Sequence, residues 1–420
     1  MDLNVKLGAT FHQAQDTEHS HDIRCNTPGC TKILGKPRRF FKGIKLMHKV
    51  CPDCIKNSKT LRKLHKDHAS IVAKIKTAKE HNNMSTIVVL MLSHISTSQV
   101  QEQGCRALTD LSRGFDDNKV SIATAGGIAA IVNGMKAHRV HPGVQENGCL
   151  ALSNLAANSD NDVSIAIAGG IVAIVNGMEA HRDHAGVQEY GCRALRNLAA
   201  NSDNEVSITN AGGIAAIVSG MEAHRDHPGV QENGCKALVN LALKSDNQVS
   251  IANAGGIAAI VSGMEVHRDH AGVQEEGCTV LSSLAANSDN DVSIANAGGI
   301  AAIVSGMEAH RDHSGVQEYG CWALTSLAFN SINRVPIANA GGIAAIVSGM
   351  EVHRDHDGVQ KYGCMALNNL SFNSRVALMI EAAGGVQVLK AASTYPRAEK
   401  ALLNIRNAKN NTKGHRQGLV

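Results

Sequence analysis

The sequence predicts an all-α solenoid built from about seven helical repeats. A segment that begins Val-Gln-Glu and continues through Gly-Cys returns along the chain, and a Gly-Gly pair recurs every 43 residues from Gly126 to Gly384. The repeated cysteines are 44 residues apart once and 43 apart thereafter: Cys105, Cys149, Cys192, Cys235, Cys278, Cys321 and Cys364. A fixed period of this length is typical of stacked repeats rather than of a catalytic globule.

Composition agrees with a large aliphatic core. The chain has 420 residues, of which 43% are hydrophobic and only 3% aromatic. It contains no apolar run of membrane-spanning length and starts without a signal peptide's basic and apolar blocks, so we expect a soluble intracellular protein, cytoplasmic or nuclear. Equivalent cysteines of stacked helices, about 8–10 Å apart, are too distant for disulfides. We therefore expect buried, reduced thiols.

Charge is distributed unevenly. Residues 24–79 contain sixteen Lys or Arg against Asp53 and Asp67, a net charge of +14, within a chain whose formal charge is +4. The remaining residues therefore sum to −10. Such a modular distribution suggests two tasks or two partners.

The N-terminal part divides into a polar tail, residues 1–21, and a small basic module, residues 22–60. The module contains two short cysteine pairs with twenty residues between them: Cys25, Cys30, Cys51 and Cys54. Two such pairs suit one structural zinc ion, and a segment with so small a core needs such a staple. Alternatively, the thiols are unliganded, or His48, His65 or His68 replaces one ligand. The ligands are too few for a two-zinc RING cross-brace.

Residues 61–81 predict a basic amphipathic helix that leads into and caps the solenoid, which occupies residues 82–408. Its apolar residues fall at helical spacing, and its lysines lie on the other face. Residues 374–408 form a degenerate final unit, as expected of a cap that faces water. Residues 409–420 predict a basic, disordered tail.

One unit predicts three helices. Asp203–Ala211 forms a first helix, with Asp or Asn as its N-cap, and Gly212-Gly213 ends it. The second runs from Ile214 to His224, and the third from Gly229 to about Ala242. Their inward residues are Ile214, Ile217, Val218 and Met221 in the second helix, and Val230, Ala237, Leu238 and Leu241 in the third.

Three helices in roughly 43 residues resemble the armadillo repeat. The motifs that carry the resemblance are Val-Gln-Glu-x-Gly-Cys-x-Ala-Leu-x-Asn-Leu-Ala and Asn-Ala-Gly-Gly-Ile, and it covers about residues 84–408. The repeat sequence is similar to the armadillo arrays of leucine-rich-repeat kinases and of protist scaffold proteins. The resemblance implies a right-handed superhelix whose third helices line a concave groove that holds peptides or partner domains.

The repeats are alike enough for the chain to be compared with itself. The third helix varies mainly at three places, two residues before the cysteine, one after it and four after it, which share one helical face. Three of the four tyrosines and the single tryptophan lie there. Neutral drift explains the variation but not the concentration of aromatic residues, so we predict a binding surface.

The predicted groove residues combine this variable face with a neighbouring row of asparagines. They are Tyr190, Arg193, Arg196, Asn197, Lys236, Asn240, Tyr319, Trp322, Tyr362, Met365 and Asn369. In nuclear-import adaptors of the armadillo family, groove asparagines clamp a peptide backbone and each is paired with a tryptophan one turn earlier. Here only Trp322 fills that position, which argues against reading of nuclear-localisation peptides. A second row, of glutamates, runs beside the face from Glu102 to Glu318.

Pairs of histidines three residues apart, such as His181 and His184, recur six times along the array. A row of metal sites is one interpretation. We favour another, in which the second histidine is the N-cap of the third helix, with Pro142 or Pro228 in the first turn.

No catalytic motif is present, so the sequence predicts a non-enzymatic scaffold or adaptor that binds a protein or peptide and no small-molecule substrate. The alternative is a nucleic-acid-associated protein whose basic module contacts phosphates, while the array recruits partners. The basic patch for that role is Arg38, Arg39, Lys42 and Lys45. Attachment of the same patch to an anionic membrane is a third possibility.

Overall fold

The computed structural model describes residues 67–417, with side chains as far as residue 411. The chain divides into two compact units, residues 1–74 and 75–420, and of the first only residues 67–74, which are helical, are described. Every regular element of the described part is a helix, which confirms the all-helical repeat architecture.

Residues 67–80 form α1. The helices that follow are α2 Met84–Ser93, α3 Ser98–Ser112, α4 Asp116–Thr124, α5 Gly127–Ala137, α6 Pro142–Leu155, α7 Asp160–Ile167, α8 Gly170–Ala180, α9 Ala185–Leu198, α10 Ser202–Asn210, α11 Gly213–Ala223, α12 Pro228–Leu241, α13 Ser245–Asn253, α14 Gly256–Val266, α15 Ala271–Leu284, α16 Ser288–Asn296, α17 Gly299–Ala309, α18 Ser314–Phe329, α19 Arg334–Asn339, α20 Gly342–Val352, α21 Asp357–Ser371, α22 Ser374–Ala382, α23 Gly385–Ala391 and α24 Pro396–Gln417.

From α4 onward the helices follow a repeating order of a short first helix, an eleven-residue second helix and a longer third helix. The sixth first helix is shortened to α19, preceded by a single 3-10 turn at Ser331–Asn333. Pro336 lies in the first turn of α19, where its missing N–H removes no helical hydrogen bond. The last second helix, α23, has only seven residues.

The first and second helices of each unit meet at the Gly-Gly pair. Gly212 has φ +82°, a left-handed conformation that favours glycine. A Cβ on Gly213 would lie 2.9 Å from the backbone oxygen of Ile208, so this position also requires glycine. The helices therefore turn sharply within two residues.

The inward faces predicted for the second and third helices are correct. Ile217, Met221, Leu238 and Leu241 are at most 1% exposed, and Ile208 of the first helix is fully buried. Burying each such side chain contributes about 1.5–3 kcal/mol, so each unit adds its own section of a continuous core.

Two local expectations differ from the structure. The first helix begins at Ser202, and its N-cap is Asn201, whose side chain accepts a hydrogen bond from the Asp203 N–H. We expected Asp203 or its neighbour in that role. The basic segment that begins at residue 409, expected to be disordered, continues α24 as far as Gln417.

Within the described residues, no single helix has both the length and the apolar composition to cross a membrane, although five sharply bent helix pairs meet those criteria by length and composition alone.

Candidate functional site

The third helices α3, α6, α9, α12, α15, α18 and α21 form what we call the inner layer. They pack against one another along much of their length from unit to unit, whereas successive first helices, and successive second helices, make fewer contacts.

The variable face of the third helices is only partly open to solvent. At the places two residues before the cysteine and one after it, most side chains are half-buried. At the place four residues after it, only Arg196 and Val239 are half-buried, and the other side chains are buried: Thr109, Ser153, Ser282, Thr325 and Asn368. The half-buried side chains of this face are therefore the ones that a partner could contact.

A glutamine ladder connects the layers. Gln231 of α12 is fully buried, and its Nε2 donates to the backbone oxygens of Met221 and His224 at 2.8 Å each, at the end of α11. Each of these oxygens lies at a helix C-terminus that lacks a full set of internal partners. The same pair of bonds is made by Gln101, Gln145, Gln188, Gln274, Gln317 and Gln360. These residues fix the inner layer to the second helices.

An aromatic cluster lies on α18 and α21. Trp322 stacks on Tyr362 with ring centroids 5.7 Å apart and planes inclined by 23°, and Tyr319 lies 6.1 Å from Trp322. The Nζ of Lys361 is 5.1 Å from the centroid of the Tyr362 ring. All three aromatic side chains are half-buried, so part of each ring faces solvent. Rigid aromatic residues that are partly exposed are the residues most enriched in binding hot spots.

Carboxylates surround this cluster. Burial raises the pKa of the Tyr319 hydroxyl, and the charges of Glu318, Glu275 and Glu276 raise it further. Burial also raises the pKa of the Glu276 carboxyl, although the charges of Lys236 and Arg196 oppose this. The aromatic cluster is thus on an acidic part of the inner layer.

Lys236 and two glutamates form a closed charge network. Lys236 pairs with Glu232 on its own helix, and its Nζ lies 3.7 Å from Glu276 on the next inner helix. The charge of Lys236 is therefore already neutralised, so this residue is a weaker candidate for partner contact than the sequence indicated.

Tyr190, Arg193 and Arg196 lie together on α9 and are half-buried. Arg193 donates from Nη2 to Oδ1 of Asn154 on α6 at 3.3 Å. Burial raises the pKa of the Tyr190 hydroxyl, which lies among the charges of Glu189, Glu146, Arg193 and Arg113. This group is three units away from the aromatic cluster, so the predicted site residues form two separate groups.

The asparagine ladder stabilises the stack. The Nδ2 of Asn240 donates to the backbone oxygen of Arg196 at 2.9 Å, and the Nδ2 of Asn197 donates to that of Ser153 at 2.9 Å. Asn369 makes the corresponding bond to Thr325 at 3.1 Å. Each bond links a third helix to the preceding one. A partner's backbone could use only the second N–H and the side-chain oxygen of these residues.

The glutamate ladder also connects units. The carboxylate of Glu189 lies over the first turn of α12, 2.8 Å from the position that a Cβ on Gly229 would take. The Nδ1 of His227, the N-cap of α12, is 3.9 Å from Glu189 Oε2. A carboxylate near a helix N-terminus is favourable, so the glutamates are engaged with the following helix rather than with the groove.

Both histidines of each pair have structural partners. The second one, such as His227, accepts a hydrogen bond at Nδ1 from the N–H of Val230, which confirms the predicted N-cap. The first one, His224, contacts the backbone oxygen of Arg182 in the preceding unit through Nε2 at 2.8 Å. Among the described residues, no group of three or more His, Cys, Asp or Glu could hold a metal ion.

The repeated cysteines are free thiols and are buried. Burial raises the pKa of Cys192 to about 12 and that of Cys278 to about 12. Such thiols are inert as nucleophiles at neutral pH.

Several sequence predictions lie outside the described residues. They are the zinc ligands Cys25, Cys30, Cys51 and Cys54 and the basic patch Arg38, Arg39, Lys42 and Lys45. The zinc ion and the nucleic-acid alternative therefore stay predictions from the sequence.

Met365 is half-buried on α21, one turn after Tyr362.

Sequence reasoning missed a second exposed apolar group. Phe329 and Phe372, at the C-terminal ends of α18 and α21, are 83% and 58% exposed. The guanidinium of Arg334 lies 5.5 Å from the ring centroid of Phe372. Both follow a repeat cysteine by eight residues, where Ala157 and Ala200 stand in earlier units, so a comparison of the copies could have found them.

Comparison with known proteins gives one curated relative and several solved structures. No family model matches the chain. Protein aardvark of Dictyostelium discoideum is 37% identical over 135 residues, which are 30% of this chain and 17% of that protein. The chain therefore spans less than a fifth of the length of that relative.

Solved structures with a similar fold include an engineered protein and a structure reported for the interaction between cadherin and beta-catenin. A crystal structure of an engineered protein matches with a TM-score of 0.60 at 25% identity, over 83% of this chain and 96% of that chain. A second structure was reported for a phosphorylation switch that controls the interaction between cadherin and beta-catenin. It matches with a TM-score of 0.51 at 15% identity, over 80% of this chain and 77% of that chain. At 15% identity the likeness shows the fold alone.

Proposed function

We propose that this chain is an armadillo-repeat scaffold or adaptor that holds an extended segment of a partner protein along its inner layer. The observation that carries the proposal is the aromatic cluster of Tyr319, Trp322 and Tyr362. It joins two helices of the inner layer and leaves part of each ring exposed. The likeness to repeat proteins, one of them described under the cadherin and beta-catenin interaction, supports the same interpretation.

The remaining chemistry favours binding over catalysis. The described cysteines are buried thiols, and the repeated histidines and glutamates have structural partners in the helix stack. Half-buried aromatic residues bind by stacking and by removal of apolar surface from water, at about 25 cal/mol per Å². A partner is therefore expected to place a large apolar or aromatic side chain against Trp322.

The proposal is tested by selection from a random peptide library, with peptides about sixteen residues long, on the immobilised full chain. Wild type is expected to enrich peptides that contain large apolar residues. The double variant Tyr319→Ala/Trp322→Ala should lose that enrichment and keep its helical circular dichroism spectrum. Truncation of hot-spot residues costs about 2 kcal/mol or more, which is about thirtyfold in affinity.

A matched control removes two aromatic residues at the ends of the same helices. Phe329→Ala/Phe372→Ala removes exposed rings at the C-terminal ends of α18 and α21 and leaves the aromatic cluster intact. If this control loses binding and Tyr319→Ala/Trp322→Ala retains it, the partner binds at these helix ends and the proposal is wrong.

A further inference from the structure

Arg193 and Arg196, which we call the arginine pair, differ from the other cations at the variable places of the inner layer, Arg106 and Lys236. Arg106 lies 3.6 Å from Glu102, and Lys236 pairs with Glu232 and Glu276. Within residues 67–411, neither guanidinium of the arginine pair has a carboxylate at ion-pair distance. The side chain of Arg193 bonds a neutral amide, that of Asn154, and the guanidinium of Arg196 has no hydrogen-bond partner in that range.

The local geometry brings the two charges together. Residues three apart on a helix have Cβ atoms about 5–6 Å apart, so both guanidiniums can reach one or two neighbouring carboxylates. Each guanidinium has five N–H donors, and only one of those on Arg193 is used, for Asn154. The bond to Asn154 also orients Arg193 across the inner layer. Charges of like sign at this spacing repel each other in the free protein, and a bound anion relieves that repulsion.

Among the described residues, no carboxylate forms an ion pair with the arginine pair, although the charge of Arg196 acts to lower the pKa of the Glu276 carboxyl. Glu146 and Glu189 are directed to the first turn of the following third helix, where their oxygens lie 2.6 Å and 2.8 Å from the positions of a Cβ on Gly186 and Gly229. Glu189 therefore lies about one turn before Arg193 on α9, and Glu146 lies about one turn before Leu150, the residue of α6 that is equivalent to Arg193. The C-terminal half of α9 remains a basic part of the inner layer.

The repeats themselves show that this pair is specific to one unit. At the positions of Arg193 and Arg196, the preceding third helix has Leu150 and Ser153. No other unit has two cations at these places. Since the surrounding positions are near-copies, the stack does not require a pair of arginines there.

We propose that the arginine pair binds carboxylate side chains of the same extended peptide segment whose apolar residue contacts the aromatic cluster. The inference rests on the proposed function and names the chemistry of the partner, an acidic peptide. The pair on α9 and Trp322 on α18 are three inner helices apart, about 24–30 Å at about 8–10 Å per step. An extended chain covers this distance in about eight residues. The partner segment therefore has acidic residues at one end and a large apolar residue about eight positions away.

The test uses fluorescein-labelled peptides of defined sequence and the full chain, with affinity measured by fluorescence anisotropy. The first peptide has an Asp-Glu pair and a Leu-Phe pair separated by about eight Gly and Ser residues. It is made in both chain directions. Companion peptides replace Asp-Glu by Asn-Gln, replace it by two phosphoserines, or shorten the spacer to about three residues.

Wild type is expected to bind the Asp-Glu peptide about tenfold or more tightly than the Asn-Gln peptide, and less tightly as salt rises. The short spacer should weaken binding. The variant Arg193→Leu/Arg196→Ser, which installs the residues of α6, should bind both peptides equally. The control Arg225→Ser/Arg268→Ser removes the same charge from exposed positions between the second and third helices and should behave as wild type.

Four outcomes overturn the inference: equal affinity of wild type for the acidic and amide peptides, unchanged binding by Arg193→Leu/Arg196→Ser, equal losses in that variant and in the control, or binding of the phosphoserine peptide alone. If binding depends on Leu-Phe but not on Asp-Glu, the arginine pair is excluded while the aromatic site stands. If no peptide binds, both proposals fail.

Discussion

Replacement of Gln231 by leucine tests the ladder that fixes the inner layer to the second helices. The side chain is fully buried, and its two bonds satisfy the backbone oxygens of Met221 and His224. Leucine has a similar size but donates no hydrogen bond. Two bonds of about 1 kcal/mol each are lost, and the Met221 oxygen loses its glutamine partner at a cost of about 1–3 kcal/mol, whereas the His224 oxygen still accepts a hydrogen bond from the His227 N–H at 3.1 Å.

The net destabilisation is smaller than the sum of these costs. Gln231 Oε1 is itself buried without a partner, so its removal is favourable. We expect a loss of about 2–4 kcal/mol, measured by urea unfolding followed by far-UV circular dichroism. Because each repeat contacts only its neighbours, the loss should be local. Hydrogen exchange in residues 213–241 should accelerate about thirty- to a thousandfold, with distant units little changed.

The matched control is Gln387→Leu, since the side chain of Gln387 on α23 is exposed. It should change the free energy of unfolding by less than about 0.5 kcal/mol. A stability of Gln231→Leu equal to that of this control, or an equal acceleration of hydrogen exchange in all units, would contradict the structural role of the glutamine ladder.

Two further predictions concern buried titratable groups. Asp162 is 5% exposed, its Oδ1 has no partner, and burial raises its pKa to about 6. A carboxyl whose pKa is raised in the folded state destabilises the fold as pH rises through about 6. Asp162→Asn should therefore stabilise the protein by about 1–3 kcal/mol at pH 7.5 and have little effect at pH 4. An equal effect at both pH values would contradict the raised pKa. Cys192, whose pKa is raised to about 12, should resist iodoacetamide at pH 8 in the native protein and react in urea, whereas equal rates in both states contradict the burial.

Much of the helix order could be predicted because its determinants are local. Apolar residues at helical spacing identify the buried faces, and the Gly-Gly pair marks a turn that needs a left-handed residue at Gly212. The N-cap of α10 was placed wrongly because Asn201, Asp203 and Asn204 all have side chains that can cap a helix. Only the backbone conformation distinguishes them.

The hydrogen bonds that link separate helices could not be predicted. Asn240 bonds a backbone oxygen 44 residues earlier, and Gln231 bonds two oxygens of another helix in its own unit. These contacts depend on the rotation and distance of packed helices, which hydrophobic periodicity does not specify. The same geometry pairs Lys236 with two glutamates and leaves the arginine pair with no carboxylate at ion-pair distance among the described residues. The sequence alone does not distinguish these three cations.

The candidate site was predicted in outline from the comparison of the repeats. That comparison identified Tyr319, Trp322 and Tyr362 as members of one face, and the structure shows that their rings form one cluster. It did not separate this cluster from the group at Tyr190, because the sequence gives position along the array but not which neighbours touch.

The most direct test of the account is the peptide selection on wild type and on Tyr319→Ala/Trp322→Ala. Wild type should enrich peptides with large apolar residues, and the double variant should lose this enrichment while its circular dichroism spectrum stays unchanged. Equal enrichment by both proteins would contradict the assignment of the inner layer as the partner-binding surface.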